Sequence, residues 1–448
     1  MISLDVDLTA IDLLKIGCEL QTQCQPGKAV PFFYKALELD PTLSDAFVNV
    51  GGSLINLKRH QDAIDPLLRG LALNPENPGI HLNLATCYQV LLRFDEAREH
   101  VIKAISLNPP YVVDCFMCLS MNAQYRGEIP EAISVYQTAL ALEPGNILAR
   151  MSHGMLRMLM GEWDIGLPDY EARIERLKPY PTEAIVKFTH RPGETLGGKR
   201  VLICGEQGAG DSIMFARYFK VLRAMHPTSQ FTYLCVDGIA PWMSQYGVRV
   251  ISPGVGATGA WDVQIPLMSL MLYFHDRNVP FIIPEEKPEG FPVRTGGGGI
   301  GFCWKGNADH AHDRFRSMSL NTMLGGVVHH AKDFGVRTVN LQYGTTPEEQ
   351  SAFDYNPSLG SWHETAAVLN TLDAVVTVDT GIAHMAGTLG VPVFMLMPVI
   401  TDWRWGMRTE TTPWYKSVRI FRQKNLGDWS PVMDQARLAL EGLHAESR

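Results

Sequence analysis

One polar turn between two apolar strands carries side chains suited to binding an anion. Residues 374–398 read AVVTVDTGIAHMAGTLGVPVFMLMP, an apolar strand, a turn, an Ala/Gly-rich helix and a second apolar strand. The turn is Asp379-Thr380-Gly381, and His384 follows one helical turn later. Ligands of open α/β sheets bind at such strand ends, and the free N–H groups of a new helix favour a phosphate, which Gly381 would let approach closely. The alternative is that Thr380 only caps the helix and that His384 is a satisfied polar residue.

A second, glycine-rich turn follows an earlier apolar strand and carries a carboxylate. It reads Gly205-Glu-Gln-Gly208-Ala-Gly210-Asp211 and directly precedes a helical segment. Its glycine spacing differs from that of the G-x-G-x-x-G dinucleotide fingerprint. Asp211, at the strand tip beside Gly208 and Gly210, is placed as a general base facing a cleft would be. The alternative is that Asp211 is the helix N-cap.

Cationic and aromatic side chains are concentrated in the last third of the chain. Arginine forks match phosphate oxygens, and tryptophan rings suit a nucleobase or a sugar ring. A metal site at His310, His312 and Asp313 is the less favoured alternative, because short polar runs of this kind are mostly solvated loops. The side chains in question are Lys305, His310, His312, Arg314, Arg316, Trp403, Arg404, Trp405, Trp414, Tyr415, Arg419 and Arg422.

Composition and charge restrict the class of protein. A chain of 448 residues, 46% hydrophobic and 19% charged, can bury two or three cores. Its formal net charge of −8 argues against nucleic acid as a partner, since phosphate-backbone binding needs a basic face. The start lacks the basic region of a signal peptide and no long apolar stretch follows, so we expect no transmembrane segment. Eight scattered cysteines, with Cys115 and Cys118 the one close pair, indicate reduced thiols in a cytoplasmic protein.

The first third of the chain repeats itself. Similar segments end at Pro41, Pro75, Pro109 and Pro144, in steps of 34, 34 and 35 residues, which is the tetratricopeptide (TPR) period. A fifth, degenerate unit contains Gly154. Helix pairs of this kind stack into a superhelix whose concave groove we expect to bind a protein. The alternative is a rigid spacer or an oligomerisation surface.

Beyond the repeats, short apolar strands alternate with helices in two series. RVLICGEQ, FTYLCV, VRVISP and DVQIPL read as strands of the first series, and MFARYFKVLRAM as its clearest helix. Two such lobes make a cleft, the usual place for a small ligand. Four consecutive glycines suggest a flexible hinge, because no Lys-Ser/Thr follows them as in a phosphate loop. The predicted parts are a TPR domain at 1–178, a linker at 179–198, a first lobe at 199–291, a glycine hinge at 292–299 and a second lobe at 300–448.

Several segments together resemble one enzyme family. GEQGAGDSIMFARYF, GFCWKGNADHAHDRFRSMSL, LQYG, ETAAVLNTLDAVVTVDTGIAHMAGTLGVPVFMLMP and DWRW occur in the order found in bacterial TPR glycosyltransferases of the heptosyltransferase-like family 9 type. The resemblance implies a GT-B fold, that is, two Rossmann-like lobes, in which the second lobe holds a nucleotide-sugar donor. It also implies inverting transfer without an obligatory metal or other cofactor.

The resemblance assigns roles to individual residues. The phosphate-binding turn falls on Asp379, Thr380, Gly381 and His384, and the proposed base falls on Asp211. The lysine that heptosyltransferases place on the phosphates has no certain counterpart, with Arg316 nearest in order along the chain and Lys305 second. The remaining donor-binding candidates are Gly208, Gly210, Gln342, Trp403 and Arg404.

Three functions are compatible with these features. The first is a transferase whose TPR groove holds a protein acceptor, for example flagellin, with a hexose, heptose or CMP-activated nonulosonic acid as the donor sugar. The second is a transferase acting on lipopolysaccharide or another surface glycan. The third is a non-catalytic scaffold on a degenerate transferase fold, against which the intact Asp211, Asp379 and His384 argue.

Overall fold

A computed structural model describes residues 8–176, 195–235, 238–252, 261–283, 287–288, 290–310, 313–407 and 409–446. The chain divides into two compact units, Met1–His153 and Gly154–Arg448. Most of the predicted linker and also His312 lie outside the described residues. Among the described residues, no helix combines the length and the hydropathy that crossing a membrane requires.

Between residues 8 and 176, five consecutive helix pairs confirm the predicted helical-repeat superhelix. Gly17 and Gly51 allow the helices of a pair to approach, because a Cβ there would lie 2.3 Å from Phe33 or Leu67. The repeated Ala29, Ala63, Ala97 and Ala132 are all buried. The helices are α1 (Ala10–Thr22), α2 (Pro26–Leu39), α3 (Ser44–Asn56), α4 (His60–Leu73), α5 (Pro78–Val90), α6 (Phe94–Ser106), α7 (Val112–Tyr125), α8 (Ile129–Leu142), α9 (Ile147–Leu159) and α10 (Trp163–Tyr170), followed by a 3₁₀ helix, Glu171–Arg176.

The turn inside each pair uses one left-handed residue at the same position of the repeat. These residues are Cys24, Lys58, Leu92, Gly127 and Gly161, with φ between +57° and +80°. Glycine takes this conformation freely, whereas another residue is destabilised by about 1–2 kcal/mol. In the first three pairs, packing of the helices therefore overrides the local preference of the turn residue.

The first α/β lobe has a four-stranded parallel sheet in the order β3-β2-β1-β4, formed by the four predicted strands. The predicted helix over MFARYFKVLRAM is divided at Ala216 and Arg217, where the buried Arg217 Nε donates to the carbonyl of Met214 at 2.5 Å. The elements are β1 (Arg200–Cys204), α11 (Ala209–Phe215), α12 (Tyr218–Met225), β2 (Gln230–Leu234), α13 (Ala240–Met243), β3 (Arg249–Ile251), β4 (Val263–Pro266) and α14 (Leu270–His275).

The second lobe has a six-stranded sheet in the order β6-β5-β7-β8-β10-β9, parallel except for β9. The strands β5, β7 and β8 are mostly apolar and buried along their whole length, as expected for a parallel sheet covered by helices. The elements are β5 (Ile300–Cys303), α15 (Asp313–Arg316), α16 (Leu320–Met323), α17 (His329–Asp333), β6 (Thr338–Asn340), α18 (Pro347–Ser351), α19 (Trp362–Thr371), β7 (Ala374–Thr377), α20 (Gly381–Thr388), β8 (Val393–Met397), β9 (Thr411–Thr412), β10 (Tyr415–Arg422) and α21 (Ser430–Glu446).

Among the parallel strands of each sheet the order reverses once, between β1 and β4 and between β5 and β7. Ligands of doubly wound sheets bind in the crevice outside the carboxyl ends of the strands at such a reversal. The turn at 205–211 follows β1, and Asp379-Thr380-Gly381 follows β7. Both turns identified in the sequence therefore lie where this topology places a ligand.

The predicted glycine hinge is anchored to the second lobe. The N–H groups of Gly297 and Gly299 donate to the carboxylate of Asp373 at 2.6 and 3.1 Å. A Cβ on Gly299 would lie 2.1 Å from the carbonyl oxygen of Arg337, and both glycines have positive φ. Glycine is thus required here because the packing is close and the backbone is left-handed. The flexible hinge predicted over 292–299 is instead a segment held against the second lobe at Gly297 and Gly299.

Candidate active site

The turn after β7 presents the start of α20 without a capping side chain. Thr380 is the N-cap residue, but its hydroxyl accepts no hydrogen bond from the helix and instead lies 3.1 Å from Thr377 Oγ1. The alternative role of Thr380, capping the helix with its side chain, requires a hydrogen bond that the structure does not show. Gly381 has a packing reason as well, because a Cβ there would lie 2.4 Å from the Trp362 ring.

The turn after β1 brings its carboxylate to the second lobe. Gly208 is the N-cap of α11, so Asp211 lies in the first turn and is not the cap. Asp211 Oδ1 accepts a hydrogen bond from Arg404 Nη2 at 2.5 Å. Burial raises the pKa of the Asp211 carboxyl, and the Arg404 guanidinium opposes this shift. A partly buried carboxylate with a raised pKa is a stronger base than an exposed one.

The two turns meet through one glycine. A Cβ on Gly210 would lie 3.0 Å from Cδ2 of His384 and 3.4 Å from Cα of Gly381. A side chain at position 210 would therefore require His384 or one of the two helices to shift by a few tenths of an ångström. This contact places the candidate base of one lobe beside the candidate phosphate turn of the other.

Arg404 is the cation at the centre of this arrangement. It follows β8 in a 3₁₀ turn, Trp403–Trp405, and is 7% exposed. Besides Asp211, its guanidinium binds Asp402 Oδ1 at 2.8 Å through Nη1 and lies over the Trp403 ring at 4.3 Å. The buried Nε of Arg404 and Nε1 of Trp403 find no hydrogen-bond partner among the described residues.

A second arginine lies beside the carboxylate of the candidate phosphate turn. Arg316 Nε binds Asp313 Oδ1 at 3.1 Å, and its Nη1 lies 3.8 Å from Asp379 Oδ2. Burial, together with the nearby Asp402 carboxylate, raises the pKa of Asp379 to about 6, although Arg316 opposes this shift. Asp379 is therefore partly protonated at mildly acidic pH.

His384 is a neutral hydrogen-bonding group in this environment. Its Nδ1 lies 2.9 Å from the hydroxyl of Tyr415, and its ring stacks on Trp405 with centroids 5.0 Å apart. Burial and the surrounding arginines, Arg404 first, lower its pKa well below the usual value. His384 can thus donate a hydrogen bond to a phosphate but does not supply a positive charge.

Two predicted donor-binding residues are engaged elsewhere. Lys305 Nζ pairs with Glu349 at 3.2 Å, and the lysine side chain is 46% exposed. Gln342 Oε1 accepts hydrogen bonds from the backbone N–H groups of Trp304 and Lys305 at 3.1 and 2.8 Å. Gln342 therefore shapes the loop after β5. Arg316 is the cation that the structure brings to Asp379.

The metal alternative involves His310, whose pKa is lowered by burial, but His312 lies outside the described residues. Within the described parts of the chain, no cluster of three or more His, Cys, Asp or Glu side chains is arranged to hold a metal ion. Likewise, the described cysteines, including Cys115 and Cys118, form no disulfide with one another.

Sequence reasoning missed four residues in or beside the Asp211 turn. Tyr170 and Arg173 come from the end of the degenerate fifth repeat, and Glu206 and Gln207 lie within the turn itself. Arg173 is 3% exposed and pairs with Glu206 at 2.8 Å, while Gln207 donates to the Tyr170 hydroxyl at 3.0 Å. The one available signal was the position of Glu206 and Gln207 between two glycines.

The chain resembles several known proteins. Residues 361–433 match the profile of glycosyltransferase family 9 (heptosyltransferase). Protein FlbA of Caulobacter vibrioides is 25% identical over 471 aligned positions, which cover 94% of this chain and 76% of FlbA. The BBSome complex member BBS4 of Bos taurus is 27% identical over 30% of this chain and 25% of BBS4. Among solved structures, a thermophilic TPR protein of Thermus thermophilus, TTC0263, aligns with 37% of this chain and 91% of its own, at 22% identity and a TM-score of 0.34.

These findings fit the expected combination of parts. The family match spans the phosphate turn, α20 and the segment that contains Arg404. The chain thus combines helix pairs of the TPR period with a region similar to glycosyltransferase family 9, and this similarity supports glycosyltransferase activity.

Proposed function

We propose that this protein transfers a sugar from a nucleotide-sugar donor to a hydroxyl group of a protein acceptor, with inversion and without a metal ion. The observation that carries the proposal is the packing of Gly210 against His384 and Gly381. It joins a candidate base to a candidate phosphate turn at the strand-order reversals of both lobes.

In this mechanism, Asp211 takes the proton from the acceptor hydroxyl. The oxygen then attacks the anomeric carbon, and the bond from that carbon to the phosphate oxygen breaks on the opposite face. The electron pair leaves with the nucleotide. Arg316, the start of α20 and the neutral His384 would stabilise the charge that develops on the departing phosphate.

The ion pair between Arg404 and Asp211 gives the donor a further role. The guanidinium of Arg404, 2.5 Å away, makes Asp211 a weaker proton acceptor than burial alone would make it. A donor phosphate that shares Arg404 would weaken this pair, and the pKa of Asp211 would then rise. The base would therefore become most effective once the donor is bound.

The partner that a TPR groove favours is a protein acceptor, for example flagellin. We place the reaction in the cytoplasm, because the described cysteines form no disulfide with one another. FlbA, with which this chain aligns over most of its length, carries no stated substrate.

The test begins with thermal unfolding in the presence of UDP-, ADP-, GDP-, dTDP- and CMP-sugars, because a ligand of the native state must raise its stability. The stabilising donor is then incubated with candidate acceptors, and intact mass spectrometry measures the added sugar. We expect the mass of a protein acceptor to increase by one or more sugar residues.

A matched pair of variants completes the test. Asp211→Asn should abolish most of the transfer, whereas Asp333→Asn, an exposed residue at the end of α17, should leave it unchanged. Sugar transfer to a glycan but not to any protein would contradict the protein acceptor. An unfolding midpoint that none of the nucleotide sugars changes would favour the non-catalytic scaffold.

A further inference from the structure

A buried ion-pair network joins the end of the helical repeats to the loop of the candidate base. Arg173 lies in the 3₁₀ helix Glu171–Arg176, and its side chain is 4% exposed. Its Nε and Nη2 hold the two carboxylate oxygens of Glu206 at 2.8 and 3.1 Å. The Glu206 side chain is 1% exposed and also accepts from the backbone N–H of Met268 at 2.8 Å.

The remaining donors of Arg173 are satisfied as well. Nη2 also binds Ser269 Oγ at 2.9 Å, and Nη1 binds Glu171 Oε1 at 2.5 Å and the carbonyl of Tyr170 at 3.3 Å. A guanidinium has five N–H donors, so all five are accounted for. Burying charged groups is unfavourable unless the geometry is this complete, so such a pair is weak evidence for added stability, whereas its fork geometry fixes the position of Glu206.

A second connection lies one residue further along the same loop. Gln207 Nε2 donates to the hydroxyl of Tyr170 at 3.0 Å, and Gln207 Oε1 lies 3.5 Å from Arg404 Nη2. Tyr170 is buried, with its ring 6.2 Å from that of Trp403. Two consecutive loop residues are therefore held by side chains that precede both lobes in the chain.

The loop needs such anchors because of its composition. Residues 205–211 contain three glycines, which give the backbone more freedom than any other residue type. The direct partner of Asp211 is Arg404, which belongs to the donor side of the site. When a donor phosphate binds Arg404 and weakens its pair with Asp211, the position of Asp211 depends on the rest of its loop.

We propose that Arg173 and Tyr170 are positioning residues, which fix the loop at 205–211 so that Asp211 stays directed at the donor site during the reaction. The end of the fifth repeat is then a working part of the transferase unit and does not serve as a further acceptor-binding repeat. The inference rests on the proposed role of Asp211 as the base.

The test uses the full-length protein and the nucleotide sugar that stabilises it most, with release of the nucleotide as the assay. Arg173→Lys keeps the charge but loses the planar fork, so it cannot hold both Glu206 oxygens. We expect kcat to fall about 10- to 100-fold, the effect of displacing a catalytic group by up to about 1 Å. The Kd for the donor should not change, because the candidate phosphate turn lies on the other lobe.

Two further variants make the result specific. Tyr170→Phe removes only the hydroxyl that accepts from Gln207, so kcat should fall about fivefold, as expected for one hydrogen bond. Arg176→Lys changes an exposed arginine of the same 3₁₀ helix and should have no effect. If Arg173→Lys fails to fold, Tyr170→Phe decides the question.

The inference is overturned if Arg173→Lys melts normally and keeps the wild-type kcat, or if kcat and donor affinity fall together. A folded Tyr170→Phe protein with unchanged kcat would contradict the part assigned to Tyr170. A wild-type protein that releases no nucleotide from any sugar nucleotide contradicts the proposed function as well. An active wild type with a fully active Arg173→Lys variant contradicts only the positioning role.

Discussion

Replacing Asp379 by Asn should stabilise the protein in a pH-dependent manner. Burial and Asp402 raise the pKa of Asp379 from 3.8 to about 6 in the folded state. The folded state therefore binds this proton more tightly than the unfolded state, and the wild type loses stability as the pH rises from about 4 to about 6. The shift of about two pKa units corresponds to about 3 kcal/mol. The Asn variant has no carboxylate to ionise and avoids this loss.

Little else should change in the variant. Arg316 lies 3.8 Å from Asp379, but its Nε keeps Asp313 at 3.1 Å, so the guanidinium retains an acidic partner. We therefore expect Asp379→Asn to exceed the wild type by about 3 kcal/mol at pH 8 and by about 1 kcal/mol at pH 4.5.

Thermal unfolding followed by tryptophan fluorescence between pH 4.5 and pH 8 would measure the effect. At pH 8 the midpoint should rise by on the order of 5 °C, since 1 kcal/mol shifts a unit of this size by about 2 °C. Asp333→Asn, at an exposed position, should follow the wild type at every pH. A difference between Asp379→Asn and wild type that does not change with pH would refute the electrostatic argument.

Four other predictions concern separate parts of the molecule. Asp211→Asn should lower kcat by about two to four orders of magnitude with little change in Tm, because the variant cannot accept a proton; near-normal turnover in a kinetic assay would make Asp211 structural. His384→Ala should weaken donor binding in calorimetric titration, since it removes the imidazole beside Tyr415, and an unchanged Kd would contradict the phosphate site. Leu92→Gly should raise the Tm by relieving a left-handed backbone worth about 1 kcal/mol, and a lower Tm would contradict the strain argument. Deleting residues 1–144 leaves α9 and α10, so donor hydrolysis should survive while transfer to a protein acceptor is lost; full transfer by the truncated protein would favour the glycan acceptor.

Features that depend on local sequence were the ones that could be predicted. The 34-residue period located the helix pairs, because each of the first four pairs buries an alanine at the same position of the repeat. The apolar runs located β1 to β4, β7 and β8, because strands of a parallel sheet are largely buried. Turns with glycine beside an acidic residue then marked the positions of Asp211 and Asp379.

Features that depend on distant segments could not be read in this way. The glycines at 292–299 suggested flexibility, but Gly297 and Gly299 are held by Asp373, more than seventy residues further along the chain. Gln342 and Lys305 are polar residues near the site, yet the first binds backbone N–H groups and the second pairs with Glu349. A sequence shows that these residues are polar but not which partner satisfies them.

In the segment Asp402-Trp403-Arg404, too, the sequence does not show which partners the charged residues bind. Its residues were selected for matching a phosphate and a ring, whereas in the structure Arg404 lies between the carboxylates of Asp402 and Asp211. With Asp313 and Asp379 beside Arg316, four carboxylates surround two guanidiniums. A donor phosphate entering this site would meet an excess of negative charge, and protonation of Asp379, which its raised pKa favours below about pH 6, would reduce that excess. Donor affinity should accordingly increase as the pH falls towards 6, although the cationic residues taken alone would have suggested a site that is insensitive to pH.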